Sequence, residues 1–236
     1  MAKDYFEFRR FIVRQDRCAM KVGTDGTLLG AWAQMPVGEG RVLDIGTGTG
    51  LIALMMAQRY PQCRVTAVDI DPDACQQAEE NVKASPFADR ISVIQADIAS
   101  FLSPEPFDAI VSNPPYFSQS LQCPDGQRTT ARHTLLLTYH SLVSSAFRLL
   151  ADEGRFSLII PDDCKHDMMQ QIYLQGFFKT RHQVVRTTPQ KPPKRHLIEF
   201  SKHPVEKVII YDDILHQASG KRSPWYQELT CDFYIK

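Results

Sequence analysis

The chain has 236 residues, 43% of them hydrophobic and 23% charged, which is enough for one large domain with a sizeable core and excludes wholesale disorder. Lys plus Arg and Asp plus Glu are both 27, so bulk electrostatics selects no partner. No apolar run approaches the roughly 18 residues that span a bilayer, and the start MAKDYFEFRRF has no signal-peptide core; the expectation is a cytoplasmic protein with no membrane partner. The cysteines at 18, 63, 75, 123, 164 and 231 form no CxxC pair and the histidines no HExxH, so buried free thiols and no metal are expected.

In chain order the pattern alternates strand and helix. RVLDI (41–45) is a short apolar run ending in a glycine loop, hence a buried strand. LIALMMAQRY (51–60) follows at helical period and is stopped by Pro61. RVTAVDI (64–70) is a second strand. DPDACQQAEENVKAS (71–85) is a helix with Asp71 as N-cap and Pro72 in the first turn. RISVIQA (90–96) and FDAIVSN (107–113) read as the third and fourth strands. A long helix over 134–150, a fifth strand over 154–161 and a helix over 163–176 closed by Gly176 come next. FKTRHQVVRTT (178–188) and HLIEFSK (196–202) are two more strands, joined by a loop and therefore antiparallel.

Seven strands with helices between them predict an α/β, Rossmann-like, seven-stranded mixed sheet with helices on both faces. Residues 1–236 read as one domain, expected as a monomer, with 1–40 as an N-terminal cap and 204–236 as an extended tail. Charge is uneven along it: residues 176–203 hold seven basic side chains against Glu199 alone. Such a cluster neutralises phosphates or protects a sheet edge.

The loop VLDIGTGTG (42–50) leaves a strand and opens a helix, the place where open α/β sheets bind ligands. Glycines at 46, 48 and 50 allow positive φ and close approach of a ligand to the backbone. A dinucleotide fingerprint needs glycine at 51, where this chain has Leu51. Asp44 would repel a pyrophosphate but pairs well with a cationic group. Asp69, at the end of the second strand, is placed to take the two ribose hydroxyls of an adenosine ligand. Asp97, past the third strand, is placed to accept from an adenine amino group, or else to cap a helix.

Asn113-Pro114-Pro115-Tyr116 ends the fourth strand. Consecutive prolines stiffen the loop and leave carbonyls without adjacent donors. The Asn113 side-chain oxygen and the Pro114 carbonyl can each accept one hydrogen of a planar NH2, aiming its lone pair outward. Tyr116 can stack on the attached base or amide.

The glycine loop with its following acids resembles the class I S-adenosylmethionine-dependent methyltransferases, and NPPY resembles the motif of those that act on planar nitrogens. The resemblance implies S-adenosylmethionine as cofactor, held at Asp44, Gly46, Gly48, Asp69, Ile70, Asp97, Ile98 and Asn113. It implies catalysis at Asn113, Pro114 and Tyr116. DRCAMKVGTDGTLLGAW (16–32), NPPYF and the ending LTCDFYIK (229–236) are similar to the bacterial tRNA adenine-N6 methyltransferases that act beside the anticodon of a valine tRNA. That likeness implies tRNA as partner, an unstacked adenine in the anticodon loop, and Lys21, Thr24 and Asp25 at the cofactor mouth. Lys21, Arg128, Arg132, Lys191, Lys194 and Arg195 are the candidates for RNA contact. NPPY alone also fits a release-factor-type glutamine methyltransferase or a ribosomal RNA guanine-N2 methyltransferase. A nicotinamide-dependent oxidoreductase is disfavoured by Leu51.

Overall fold

The computed structural model describes residues 4–17, 21–36, 38–115 and 138–235. A hairpin of β1 (Tyr5–Glu7) and β2 (Ile12–Arg14) leads to helix α1 (Thr24–Trp32). Alternation then sets in with β3 (Glu39–Ile45), α2 (Leu51–Arg59), β4 (Gln62–Asp69), α3 (Pro72–Lys83), β5 (Ile91–Gln95) and β6 (Phe107–Ser112). It continues through α4 (Tyr139–Leu149), β7 (Leu150–Pro161), α5 (Lys165–Gln175), β8 (Phe178–Arg186), β9 (Pro193–Ser201), β10 (Ile209–Ile214) and α6 (Pro224–Thr230).

The large sheet has the order β10-β8-β9-β7-β6-β3-β4-β5. Strands β7, β6, β3, β4 and β5 run parallel, and β9 is antiparallel to both β7 and β8. The chain winds outward from β3 through β4 to β5, then restarts at β6 beside β3. The carboxyl ends of β3 and β6 are therefore the topological switch point, where such sheets bind ligands.

Strand residues alternate between two apolar layers. Val42, Val65, Val111 and Ile159 face the α1–α2 side, while Leu43, Ile45, Ile110 and Leu158 face the α4–α5 side. Helix α3 starts where its capping residues predict: the Asp71 side chain accepts from Asp73 N–H at 2.9 Å, and Pro72 occupies the first turn. Helix α5 stops at Gly176 with φ 95°, the left-handed C-terminal cap.

Among the described residues the large sheet has eight strands, one more than the pattern predicted. The extra strand, β10, lies in the segment read as an extended tail. Ile209, Ile210 and Tyr211 are all exposed at the sheet edge, so β10 lacks the buried alternation that marks a strand in sequence. What seats it is polar: Arg186 pairs with Asp212 at 2.9 Å and Gln183 Nε2 donates to Asp213 at 3.0 Å. The tail also forms α6, capped by Ser223, whose hydroxyl accepts from Tyr226 N–H at 3.0 Å.

The N-terminal segment packs against that tail. Phe8 bridges Tyr234, and Arg9 N–H donates to Phe233 O at 2.9 Å. Phe8, Phe11 and Phe233 are buried beneath, each stabilising by about 1.5–3 kcal/mol. Helix α1 is locked to the sheet by Arg181, whose guanidinium lies 3.6 Å from the centre of the Trp32 ring and pairs with Glu199 at 3.0 Å.

Candidate active site

Strand register sets the site. Ile45 lies opposite Val68 on one side and Ser112 on the other, and Asp69 lies opposite Gln95. Gly46, Asp69 and Asn113 each come one residue later, so they stand level along the carboxyl edge. At about 4.8 Å per strand, Gly46 is flanked by Asn113 on one side and Asp69 on the other. Ser112 Oγ donates to Ile45 O at 2.9 Å and ties the two strand ends of the switch point together.

The glycine loop is an open cradle. Gly46 and Gly48 have φ of 72° and 55°, and a Cβ on either would meet nothing within 4 Å. Asp44 points beneath it on the α2 side and is fully buried. Its Oδ2 accepts from Thr47 Oγ1 at 2.7 Å and from Ala53 N–H at 3.1 Å, while its Oδ1 has no hydrogen-bond partner among the described residues. Burial pushes this carboxyl up to about 7, against the two hydrogen bonds that favour its charged form. A buried carboxylate with one unpartnered oxygen, under a loop in which Gly46 and Gly48 carry no side chain, fits a ligand carrying an ammonium group, as S-adenosylmethionine does.

Asp69 braces the loop: its Oδ2 accepts from Gly48 N–H at 2.8 Å and its Oδ1 from Asp71 N–H at 3.1 Å. Beside it, Ile70 is 41% exposed, an apolar surface at the right place for a base. Asp97 is exposed, and its Oδ1 accepts from Ala99 N–H at 2.9 Å, capping a turn. The Ile98 side chain is 4% exposed and packs in the core with Val68.

Asn113 is half-buried and Pro114 buried, directly past β6. Tyr116, Arg128 and Arg132 lie outside the described residues, as do Cys18 and Cys123. On the rim, Lys21, Lys191 and Lys194 are exposed. Arg195 is engaged within the fold. Its guanidinium pairs with Asp25 in the first turn of α1, with side-chain exposures of 12% and 23%. It fixes the cap to β9. Thr24 stands next to this pair at the start of α1, on the same carboxyl-end rim.

Residues that no sequence motif singled out hold the site in place. Thr47 orients Asp44. Asn81 on α3, 1% exposed, donates to Thr49 O and to Arg14 O, both at 2.9 Å, and accepts from Arg14 N–H at 2.8 Å. It thereby clips the N-terminal strap to the glycine loop. Gln77 accepts from Arg17 N–H at 3.0 Å and Gln15 from Val22 N–H at 2.8 Å, extending the same strap. An amide on the buried face of a helix would have been the only signal. Behind the rim, Asp162 accepts from His196 Nε2 at 2.7 Å, and His196 Nδ1 lies 2.9 Å from His182 Nε2. Burial lowers both imidazoles, His182 to about 4, so both rings are neutral at pH 7: His182 donates to His196, which donates to the Asp162 carboxylate, itself held below its ordinary range by that hydrogen bond.

Fold and site define a class I methyltransferase, for which S-adenosylmethionine is the methyl donor, and the chain belongs to the methyltransferase small domain family, whose model matches residues 24–190. Full-length relatives narrow the family. The chain is 50% identical over 235 residues to the tRNA1(Val) (adenine(37)-N6)-methyltransferase of Phocaeicola vulgatus, covering 100% of this chain and 99% of that one. It is 44% identical to the enzyme of the same name from Yersinia pestis, covering 98% and 93%. Among solved structures, a predicted O-methyltransferase from Agrobacterium tumefaciens shares the fold with a TM-score of 0.68 at 18% identity, over 89% of this chain and 96% of that one. TrmN from Thermus thermophilus does so with a TM-score of 0.51 at 24% identity, over 70% and 44%. No helix among the described residues is long and apolar enough to cross a membrane.

Proposed function

We propose that the protein methylates the exocyclic N6 of an adenine in a tRNA anticodon loop, at the position beside the anticodon of a valine tRNA. The observation that carries this is the placement of Asn113-Pro114 level with the Gly46 cradle across the β3–β6 switch point. The names of the full-length relatives supply the choice of nucleic acid and position. Exposed Lys21, Lys191 and Lys194 on the same rim supply cations for the phosphates around the target.

In this reading Asp44, Gly46 and Gly48 hold the methionine end of the donor. Asp69 takes the ribose hydroxyls, and Asp97 and Ile70 take the adenine. When bound, S-adenosylmethionine supplies an electrophilic methyl on a sulfonium. The chain's contribution is orientation and charge stabilisation. The target N6 is a weak nucleophile because its lone pair is delocalised into the purine ring. Asn113 Oδ1 and the Pro114 carbonyl accept its two hydrogens, pin the amine and direct the lone pair at the methyl. Both contacts strengthen as the nitrogen gains positive charge, so they favour the transition state over the ground state. No strong base is required, since the proton becomes acidic once the new bond forms. Zero net charge fits local patches that recognise one folded RNA rather than any polyanion.

Tritium transfer from labelled S-adenosylmethionine to unmodified tRNA checks the proposal. Label in N6-methyladenosine of a valine tRNA is expected. Label in a Gly-Gly-Gln peptide with none in RNA would move the protein to the glutamine methyltransferases.

A further inference from the structure

The hairpin carrying Lys191 and Lys194 does not stand alone on the rim. Leu215 N–H donates to Arg186 O at 2.9 Å and His216 N–H to Thr187 O at 3.0 Å, so the loop after β10 leans on that hairpin. The His216–Arg222 bridge closes this loop and presents Lys221 and Arg222, both exposed. Arg222 lies over Tyr234, 4.3 Å from the ring centre. Tyr234 bridges Phe8, and Arg9 follows at the hairpin turn with Arg10, again both exposed. These backbone contacts and the Arg222–Tyr234 ring contact chain Lys191, Lys194, Lys221, Arg222, Arg9 and Arg10 into one strip, running from the active-site rim down the face built by the two termini.

Two concavities of about 500 and 580 Å3 adjoin along the strip and share Arg9. Their walls hold five cations, Arg9, Arg10, Arg59, Lys221 and Arg222, against the single carboxylate of Asp232. Composition does not produce this, since acids and bases are equal over the chain. Internal hydrogen bonding engages Arg59, which donates to the carbonyls of Gly30 and Ala33. None of the other four forms an ion pair among the described residues. Helix α2 begins at the glycine loop and ends at Arg59, nine residues and about 13 Å away, so the far end of the strip lies a helix length from the target nucleotide.

We propose that this strip binds the phosphate backbone of the tRNA outside the anticodon loop, which makes intact tRNA a better substrate than the isolated anticodon stem-loop. The inference rests on the tRNA reading above and adds to it a second contact, remote from the chemistry. Phosphate contacts of this kind position the RNA without reading sequence.

The experiment compares kcat/KM on intact unmodified valine tRNA and on its anticodon stem-loop, for the wild type and for Arg9→Glu with Lys221→Glu. The charge reversal is expected to lower kcat/KM on intact tRNA about tenfold or more. It should also flatten the salt dependence by about one unit of log–log slope for each phosphate no longer neutralised. Stem-loop kcat/KM should stay within about twofold, and S-adenosylmethionine affinity by calorimetry should match the wild type. The neutral pair Arg9→Gln with Lys221→Gln, matched in thermal midpoint to the wild type, should show the same selective loss in smaller measure. Unchanged kcat/KM on intact tRNA, or an equal loss on both RNAs, would overturn the strip while leaving the tRNA reading intact. Label entering neither RNA overturns both.

Discussion

Replacing Asp44 with Asn separates what this carboxyl does to the fold from what it does for the ligand. Its pKa is raised from 3.8 to about 7, chiefly by burial. In the unfolded chain it ionises near 3.8, whereas in the folded protein it keeps its proton to about 7. Across that window the folded state binds more protons, so this group's contribution to stability is full below pH 3.8 and is lost as pH rises through 7. About three pKa units correspond to roughly 4 kcal/mol at pH 8. Asn removes that loss but places an amide N–H where Oδ1 now has no partner among the described residues, which costs about 1–3 kcal/mol. The ligand-free variant should therefore be about 1–3 kcal/mol more stable than wild type at pH 8, with an advantage that shrinks by about 2 kcal/mol at pH 5. Affinity for S-adenosylmethionine should move the other way. A charged hydrogen bond is worth about 1.5–3 kcal/mol, so binding should weaken by about 10- to 150-fold. Urea denaturation at the two pH values, with calorimetric titration of the cofactor at pH 8, reads both quantities. Equal affinity together with a pH-independent stability difference would remove Asp44 from both roles.

Asp69→Ala removes the acceptor of Gly48 N–H and the ribose contact, and should weaken cofactor binding by about 1–3 kcal/mol in the same titration. Asn113→Ala should lower kcat by about 100-fold or more while the cofactor still saturates; timed labelling of tRNA measures it. Asn81→Ala releases three hydrogen bonds between the strap and the loop, and should raise KM for S-adenosylmethionine about tenfold with kcat within about threefold. His182, lowered from 6.5 to about 4, contributes stability that is fully present above 6.5 and is lost progressively as pH falls from 6.5 to about 4, because the unfolded chain takes up the proton first. His182→Gln, whose amide can still donate to His196, should flatten that loss between pH 7 and 5 in denaturant titrations.

Local chemistry made much of this molecule legible in sequence. The run VLDIGTGTG could only be a buried strand turning through positive-φ glycines into a helix, and it is. Asp71-Pro72 and Gly176 mark helix ends because capping is decided within a few residues. Asn113 fell at the switch point because strand order follows from right-handed crossovers. The misses are long-range. Strand β10 is held by Arg186 and Gln183 across 26 and 30 residues and shows no buried face of its own. Arg195 sits in a basic run, and only the fold brings Asp25, from the far end of the chain, to its side. The same applies to Asn81, whose partners Arg14 and Thr49 are 67 and 32 residues distant.

The mechanism depends on one arrangement: a flat amine held by the oxygens of Asn113 and Pro114, beside a donor cradled at Gly46 and Gly48. A crystal structure with S-adenosylhomocysteine and an adenine-containing anticodon stem-loop measures it. Both oxygens should lie within about 3 Å of the adenine N6, with the thioether sulfur in line with that nitrogen's lone pair. Asn113 turned away from the base, or the base lying at another rim of the sheet, would be incompatible with it.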